Sequence, residues 1–417
     1  MPPEAAAEVL SPTIGIERIE ILLLIAAVVS MLVRRLNLPY TVGLTFAGIG
    51  IALLSLDVDI PFTKEVIFSA FLPPLIFEAA FAMHWRELKS NIGIVVSLAT
   101  VGVVLSIALT TAGLIYVAGW PLLSALVLGV LISATDPVSV IATFKEAGVT
   151  GRLRLLVEAE SLFNDGTVAV IFGLAVAAVG ATTALTVAGV ATTFLVTVFG
   201  GLACGGLVGY GAVLLAGRTD DHLVEITFTS VAAYGSFLLA EHFHLSGVLA
   251  TLTAGVIVGN VGSCGAITDR GREAVESFWE YVGFVANSLI FLLIGIRLAK
   301  VDVGQVWLPA LVTVVFVTLG RAVAVYGVSS LWQGSRQQVS RPHKHILFWG
   351  GLRGALALAL ALGLPEKLPL RAEIIAVSFV AVAFSVIVQG LTVTPLLRYL
   401  GEIRSDDATN VEGAEGA

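Results

Sequence analysis

The stretch Glu160-Ser161-Leu162-Phe163-Asn164-Asp165-Gly166 interrupts an apolar run, residues 152–180, that otherwise has the composition of a membrane-spanning helix. Fifteen uncharged residues, 166–180, follow Asp165, so its side chain cannot reach water from a nearby helix end. A carboxylate inside a bilayer costs about 3 kcal/mol or more unless it faces a cavity or a partner. Asp165 therefore indicates a functional site within the membrane. The alternative is that it is a buried partner for an Arg elsewhere in the chain.

The side chains around Asp165 are oxygen-rich. Ser161 lies four residues earlier and shares the same helical face, whereas Asn164 lies about 100° around the helix and can flank the carboxylate. A hydroxyl, an amide and a carboxylate together are suited to a hard cation such as Na+. The pattern predicts a cation site on this helix.

The composition excludes a soluble globular domain. Of the 417 residues, 57% are hydrophobic and 13% are charged, with a mean hydropathy of +0.97. Soluble domains carry about 25% charged residues. The chain is therefore an all-α polytopic membrane protein. It contains no Gly-x-x-x-x-Gly-Lys-Ser/Thr loop, so we expect no nucleotide site and no cofactor, and an ion gradient as the driving force.

Segments of roughly 20 apolar residues, the length that a bilayer requires, predict thirteen transmembrane spans. They cover residues 16–33, 39–56, 65–83, 91–118, 121–144, 152–180, 183–216, 222–242, 245–262, 275–296, 304–332, 343–363 and 372–397. Fifteen of the 23 Lys and Arg residues then lie on one side, six lie on the other, and two fall inside spans. The excess of positive charge places that first side in the cytoplasm, with the N-terminus outside and the C-terminus inside.

Two of these spans are interrupted at similar depth. Span 5 contains Ser133-Ala134-Thr135-Asp136-Pro137, and span 12 contains Gly350-Gly351-Leu352-Arg353-Gly354. Because seven spans separate them, they run in opposite directions, as in an inverted repeat whose two broken helices cross near the midplane. Asp136 is expected to compensate the N-terminal ends of the half-helices, and Arg353 the C-terminal ends. Close helix packing is the alternative explanation of the glycines.

Three further charged residues within spans need an explanation. Glu78 follows two prolines in span 3 that could aim it inwards, although it could also be an interfacial acid. Arg321 lies in an uncharged run, residues 304–331, and requires an anionic partner. Glu160 is the best candidate, because it points about 140° away from Asp165 around the helix. We therefore favour a structural Glu160–Arg321 bridge over a catalytic Glu160.

The motifs at residues 133–138, 160–166 and 350–355 together resemble the monovalent cation/proton antiporter family, in the branch of prokaryotic sodium/proton antiporters and animal sodium/proton exchangers. The resemblance extends from span 1 to span 13. It implies that the carboxylate of Asp165 carries both the ion and the proton.

The resemblance also assigns the neighbouring residues. The backbone carbonyl of Thr135 and the hydroxyl of Ser161 would be ligands, and Asp136 would act on the ion directly or through water. An acid matching Glu78 is a ligand in some archaeal members. Some relatives carry a second aspartate at the position of Asn164 and move net charge. The family's structural ion pair maps onto Glu160 and Arg321.

The resemblance further implies two units and a homodimer in the cell membrane. The dimerisation unit would comprise residues 1–90 and 221–300, and the mobile core unit residues 91–180 and 301–400. Residues 181–220 would form a linker span, and residues 401–417 a short disordered cytoplasmic tail.

These observations predict a secondary antiporter and not an enzyme. We expect Na+ or Li+ to exchange for H+ one for one, because the Asn-Asp pair contains a single carboxylate. Two alternatives are K+/H+ antiport on the same fold and, from another class, an intramembrane aspartyl protease. A protease dyad would need Asp136 and Asp165 to share one proton, but neither lies in the usual Gly-x-Gly-Asp context. No nucleic-acid partner is expected.

Overall fold

A computed structural model describes residues 12–36, 38–54, 66–136, 140–141, 144, 148–179, 186–262 and 267–403. Seven helices within these ranges are long and apolar enough to cross a membrane. The helices are α1 (Pro12–Leu36), α2 (Tyr40–Leu53), α3 (Ile67–Phe81), α4 (Trp85–Tyr116), α5 (Leu122–Leu131), α6 (Arg152–Val179), α7 (Val187–Ala216), α8 (His222–His242), α9 (Gly247–Val261), α10 (Asp269–Leu298), α11 (Val303–Leu331), α12a (Arg341–Trp349), α12b (Ala355–Leu362) and α13 (Arg371–Tyr399).

Twelve of the thirteen predicted spans correspond to one of these helices or, in span 12, to a pair of half-helices, and span 5 corresponds to α5 over its first half only. The largest differences lie at helix starts. Helix α4 begins at Trp85 and not at residue 91, because its first turns are polar and a hydropathy rule detects only the apolar part. Helix α10 begins at Asp269, where the hydroxyl of Thr268 accepts a hydrogen bond from the N–H of Gly271.

Parts of several predictions lie outside the described residues. They are residues 55–56 of span 2, residue 65 of span 3, residues 137–139 and 142–143 of span 5, residue 180 of span 6, residues 183–185 of span 7, and the tail from residue 404 onwards.

The helices pack in two groups. The scaffold group consists of α1–α3 and α7–α10, in which α10 lies along α2, and α9 packs against both α7 and α3. The core group consists of α4–α6 and α11–α13, in which α4 lies along α11 and α5 packs against α4 and α6. The division into a dimerisation unit and a mobile core unit stays a prediction, and α7, which was predicted to be a linker span, packs with the scaffold group.

Small residues allow the closest contact within the scaffold group. Gly201, Gly205 and Gly209 repeat every four residues along one face of α7, opposite the segment 246–254 at the start of α9. A Cβ atom on Gly205 would lie 2.0 Å from the carbonyl oxygen of Ala250. Backbones can approach in this way only where side chains are absent, which is how helices associate without a hydrophobic driving force in lipid.

Corresponding helices of the core group carry the same irregularities. A single π-helical turn lies in α4 at Leu98–Gly102 and another in α11 at Val323–Gly327, and the two turns touch. Helix α5 ends at Leu131 in the middle of the predicted span, and α12 is divided between Trp349 and Ala355. These matched features are those expected of an inverted repeat with two broken helices.

A third π-helical turn, at Ile67–Phe71, immediately precedes the two prolines of α3. Pro74 cannot donate a hydrogen bond to the carbonyl oxygen of Ala70, and the hydroxyl of Tyr234 donates to this oxygen at 3.2 Å. Glu78 lies against α10, where a Cβ on Gly283 would lie 2.0 Å from the Glu78 carboxylate.

Candidate cation-binding site

The unwound segments of the two broken helices cross and are hydrogen-bonded to each other. The backbone N–H of Asp136 donates to the carbonyl oxygen of Leu352 at 2.7 Å. Each broken helix leaves backbone carbonyls and N–H groups without an intrahelical partner, and inside a membrane these must be satisfied by protein.

Arg353 and Asp136 lie at opposite ends of the half-helices. The Nη1 atom of Arg353 donates to the carbonyl oxygens of Ser133 at 2.7 Å and Ala134 at 3.1 Å, just after α5 ends. The Asp136 carboxylate lies against Gly354, which precedes α12b, and a Cβ on this glycine would come within 2.0 Å of Oδ2. A cation thus lies beside a helix C-terminus and an anion beside a helix N-terminus, as the macrodipoles favour.

Arg321 joins the two halves of the core group. Its Nη1 and Nη2 atoms donate to Oε1 and Oε2 of Glu160 at 2.6 and 2.8 Å, a bidentate geometry. The same guanidinium donates to the carbonyl oxygen of Leu347 in the last turn of α12a at 2.9 Å. A Cβ on Gly351 would lie 2.5 Å from Nε of Arg321, so this glycine makes room for the charge.

The contact of Arg321 with Leu347 was not predicted from the sequence. The available signal was that a half-helix ending inside the membrane needs a hydrogen-bond donor for its last carbonyl oxygens. Gly351 packs against the guanidinium of Arg321 and Gly354 against the carboxylate of Asp136, whereas Gly350 lies near Val140.

Asn164 and Asp165 present buried oxygen atoms toward the crossing. The Nδ2 atom of Asn164 donates to the carbonyl oxygen of Ser133 at 3.1 Å and to Oγ1 of Thr135 at 2.9 Å, which orients its amide. The backbone N–H of Thr135 donates to the Asp165 carboxylate. The Oδ1 atoms of Asn164 and Asp165 are both buried and have no hydrogen-bond partner within the described part of the chain.

A buried acceptor without a donor is uncommon in folded proteins and indicates an ion, a proton or a water. Two such oxygens on adjacent residues are of the type that a hard monovalent cation prefers. The charged groups that act on Asp165 are Asp136, Glu160 and Arg353. Because Glu160 is paired with Arg321, an ionised Asp165 leaves the site with one net negative charge, which a proton or a cation would neutralise.

A cavity of about 340 Å³ reaches this site between the core and scaffold groups. Four of the predicted residues line it, namely Thr135, Asp136 and Asp165 from the core group and Glu78 from the scaffold group. Ser161 is buried one turn before Asp165 and lies outside this lining. The structure therefore brings Glu78 to the same cavity as Asp165, whereas Ser161 and Asn164 are buried and do not line this cavity.

A second cavity, of about 560 Å³, continues from the first. The two share lining residues, among them Glu78, Arg154, Glu158 and Glu280. The second cavity extends to His84, Glu87 and Gly151, at helix ends on the side that carries most of the positive loops. Asp165 is thus approached from that side. Arg154, Glu158 and Glu280 were not singled out from the sequence, although Glu158 is two helical turns from Asp165 on the same face.

Two broken helices that cross beside a buried carboxylate, in a cavity between two helix groups, define a secondary ion transporter built from inverted repeats. Comparisons with known proteins agree. The family model described as "Sodium/hydrogen exchanger, transmembrane" matches residues 21–399.

Named relatives cover most of the chain. It is 40% identical to the Na+/H+ antiporter ApNhaP of Aphanothece halophytica, over 88% of this chain and 70% of that protein. It is 36% identical to the low-affinity Na+/H+ antiporter NhaS1 of Synechocystis, over 99% of this chain and 79% of that protein. The solved structure of the sodium proton antiporter MjNhaP1 from Methanocaldococcus jannaschii superposes with a TM-score of 0.75 at 20% identity, covering 93% of this chain and 99% of that one.

The chain belongs to the sodium/hydrogen exchanger family. The predicted fold class is confirmed: the protein is an all-helical, polytopic membrane protein with the sodium/proton antiporter fold.

The Glu160–Arg321 contact generates a stability prediction. Removing one partner of a buried pair costs about 3–5 kcal/mol, whereas removing both costs much less. Both Glu160→Gln and Arg321→Ala should lower the melting temperature of the detergent-solubilised protein. The loss should be larger for Arg321→Ala, because that change also removes the donor to the Leu347 carbonyl oxygen.

The double variant Glu160→Gln/Arg321→Ala should recover part of the summed loss, and strictly additive losses would show that the pair is not coupled. The matched control is the exposed pair Arg272–Glu276, with N–O at 2.9 Å and side chains 45% and 53% exposed. Removing either of its partners should cost about 1 kcal/mol or less.

Proposed function

We propose that the protein exchanges Na+ or Li+ for H+ with a stoichiometry of one to one, and that Asp165 carries either ion in turn. The protein is a secondary transporter of the sodium/hydrogen exchanger family and not an enzyme, which excludes the aspartyl protease alternative. The observation that supports the proposal most strongly is the pair of buried oxygens on Asn164 and Asp165 that have no hydrogen-bond donor among the described residues. The relatives are named Na+/H+ antiporters, which favours Na+ over K+ as the exchanged cation.

The chemistry is a competition for one carboxylate. When Asp165 binds a cation, Asn164, Thr135 and Ser161 supply the neutral oxygens that replace its hydration shell. When Asp165 binds a proton, the carboxyl group is neutral and no further ligand is needed. In both states the charge at Asp165 is compensated, which is what allows it to cross the apolar interior.

The other charges of the site stay constant during the cycle. Asp136 remains ionised because it lies at the N-terminus of α12b, and Arg353 remains at the end of α5. Glu160 is neutralised by Arg321 through two hydrogen bonds. The core group would therefore carry the same net charge whether Asp165 holds Na+ or H+.

Alternating access would follow from movement of the core group against the scaffold group. The cavities that lead to Asp165 lie between these groups, so a relative displacement would close one entrance and open another. We place the N-terminus outside and the C-terminus in the cytoplasm, so that the described conformation opens to the cytoplasm. The homodimer through the scaffold group and a contribution to pH homeostasis follow from the family resemblance and stay predictions.

The role of Asp165 is tested by Asp165→Asn. This variant should fold and yet abolish cation-driven proton flux in proteoliposomes, because an amide can neither release a proton nor balance Na+. Flux is followed with an entrapped pH dye after additions of Na+, Li+ or K+. Asp220→Asn, at an exposed loop position, is the matched control and should retain wild-type flux. Appreciable Na+-driven flux in Asp165→Asn would refute the assignment, and a response to K+ alone would favour the K+/H+ alternative.

The stoichiometry is tested with an imposed membrane potential, which is worth about 2.3 kcal/mol per charge per 100 mV. The steady-state pH gradient of the wild type should be the same with and without the potential. Asn164→Asp places a second titratable group beside Asp165 and should make the gradient depend on voltage. A wild-type gradient that shifts with voltage would contradict one-for-one exchange and would implicate Asp136 or Glu78 as a second carrier.

A further inference from the structure

One face of α6 connects the cation site to the mouth of the cavity. Asp165, Leu162 and Glu158 are spaced by three and four residues, and all three line the first cavity. Seven residues of α-helix correspond to about 10 Å along the axis and nearly two full turns, so the Glu158 carboxylate lies on the approach to Asp165. The Glu158 side chain is only 9% exposed.

Arg154 is paired with Glu158 at this position. Its Nε atom lies 2.9 Å from Oε1 of Glu158, and its side chain is 27% exposed. Both residues line the first and the second cavity, which places the pair at their junction. Glu78 and Glu280 line both cavities from the opposite, scaffold side. The junction thus combines three carboxylates with one guanidinium.

We propose that the Arg154–Glu158 pair sets the affinity for the cation that enters from this side of the membrane. Glu158 attracts the incoming cation, and Arg154 is the resident counter-ion with which that cation competes. The inference rests on the proposed exchange function and concerns only the affinity from one side.

The electrostatic reason lies in the confined position of the pair. A cleft with low-dielectric walls focuses the field of its charges and raises or lowers the local concentration of mobile ions. Glu158 favours a monovalent cation about 10 Å before it reaches Asp165, and the guanidinium of Arg154 opposes it. An arriving Na+ can displace the guanidinium of Arg154 and pair with Glu158. The cation therefore has an anionic partner while it passes through the junction.

The alternative is that the Arg154–Glu158 pair only stabilises α6, since residues four apart on a helix commonly interact. The chain contains a close match for comparison. Arg272 and Glu276 have the same spacing, the same Nε–Oε1 contact and the same 2.9 Å distance. That pair is far more exposed, and it lines the second cavity without reaching the first.

The experiment measures the apparent KM for Na+ and the maximal rate separately, from each side, in oriented membrane vesicles. Glu158→Gln should raise the KM from the cavity side by about tenfold, the lower end of the effect of charged clefts on ion concentration. Arg154→Gln should lower that KM. The maximal rate and the KM from the opposite side should be unaffected in both variants.

Two further readouts separate an entrance from a structural pair. The difference in KM between Glu158→Gln and wild type should shrink when choline chloride raises the ionic strength, because salt screens the partly exposed junction. Arg272→Gln and Glu276→Gln should leave the KM unchanged. If the melting temperature shows that Glu158→Gln is poorly folded, Glu158→Asp provides the test instead. It keeps the charge and should retain most of the wild-type affinity for Na+.

The charge swap Arg154→Glu/Glu158→Arg decides between the two explanations. It keeps an ion pair four residues apart but moves the guanidinium closer to Asp165. We therefore expect the KM for Na+ from the cavity side to be higher than in the wild type, as in Glu158→Gln. Recovery of the wild-type KM in the swap, or equal shifts from both sides of the membrane, would overturn the proposal. Exchange that persists in Asp165→Asn would instead overturn the proposed function, which keeps the two failures distinct.

Discussion

The architecture depends on finding partners for the backbone carbonyl and N–H groups where two helices break inside the membrane. Breaking a helix in lipid exposes carbonyl and N–H groups that have no water to bind. Here the segments pair with each other through Asp136 and Leu352, and the carbonyl oxygens of Ser133 and Ala134 after α5 are bound by Arg353. The unwound backbone at the crossing is tolerated because the half-helix ends that the structure describes have partners of suitable charge.

The same constraint explains the neighbouring residues. Arg321 binds the last turn of α12a and, through Glu160, links it to α6. This link fixes α6 beside the crossing, and Asn164 then binds the unwound segment of α5 through Ser133 and Thr135. Its amide nitrogen is thereby satisfied, while its oxygen has no donor within the described chain and lies on the residue next to Asp165. The structural network and the proposed cation ligands are therefore parts of one arrangement.

Much of this could be predicted from the sequence, for reasons that are specific to membranes. A charged residue in an apolar span is costly enough to identify Asp165, Arg321 and Arg353 individually. The spacing of the two interrupted spans was sufficient to predict the inverted repeat. The pairing of Glu160 with Arg321 could be proposed because each needed a partner and few buried charges were available.

The remaining features depend on tertiary packing. The place of Glu78 beside Gly283 depends on how α3 packs against α10, which the two prolines did not determine. The Arg154–Glu158 pair was not singled out from the sequence, because only the cavities show that it lies between solvent and Asp165. Helix starts were placed too late wherever a polar first turn extends beyond the apolar segment, as at Trp85.

The central claim is that one carboxylate binds either a proton or a cation. It is tested most directly by the number of protons released when Na+ binds to the purified protein under conditions in which Asp165 is initially protonated. Calorimetric titrations in two buffers with different ionisation enthalpies measure this number without any transport step. The account predicts one proton released per Na+ bound, and no Na+-linked release in Asp165→Asn. Release of two protons per cation, or binding of Na+ with no release, would contradict it.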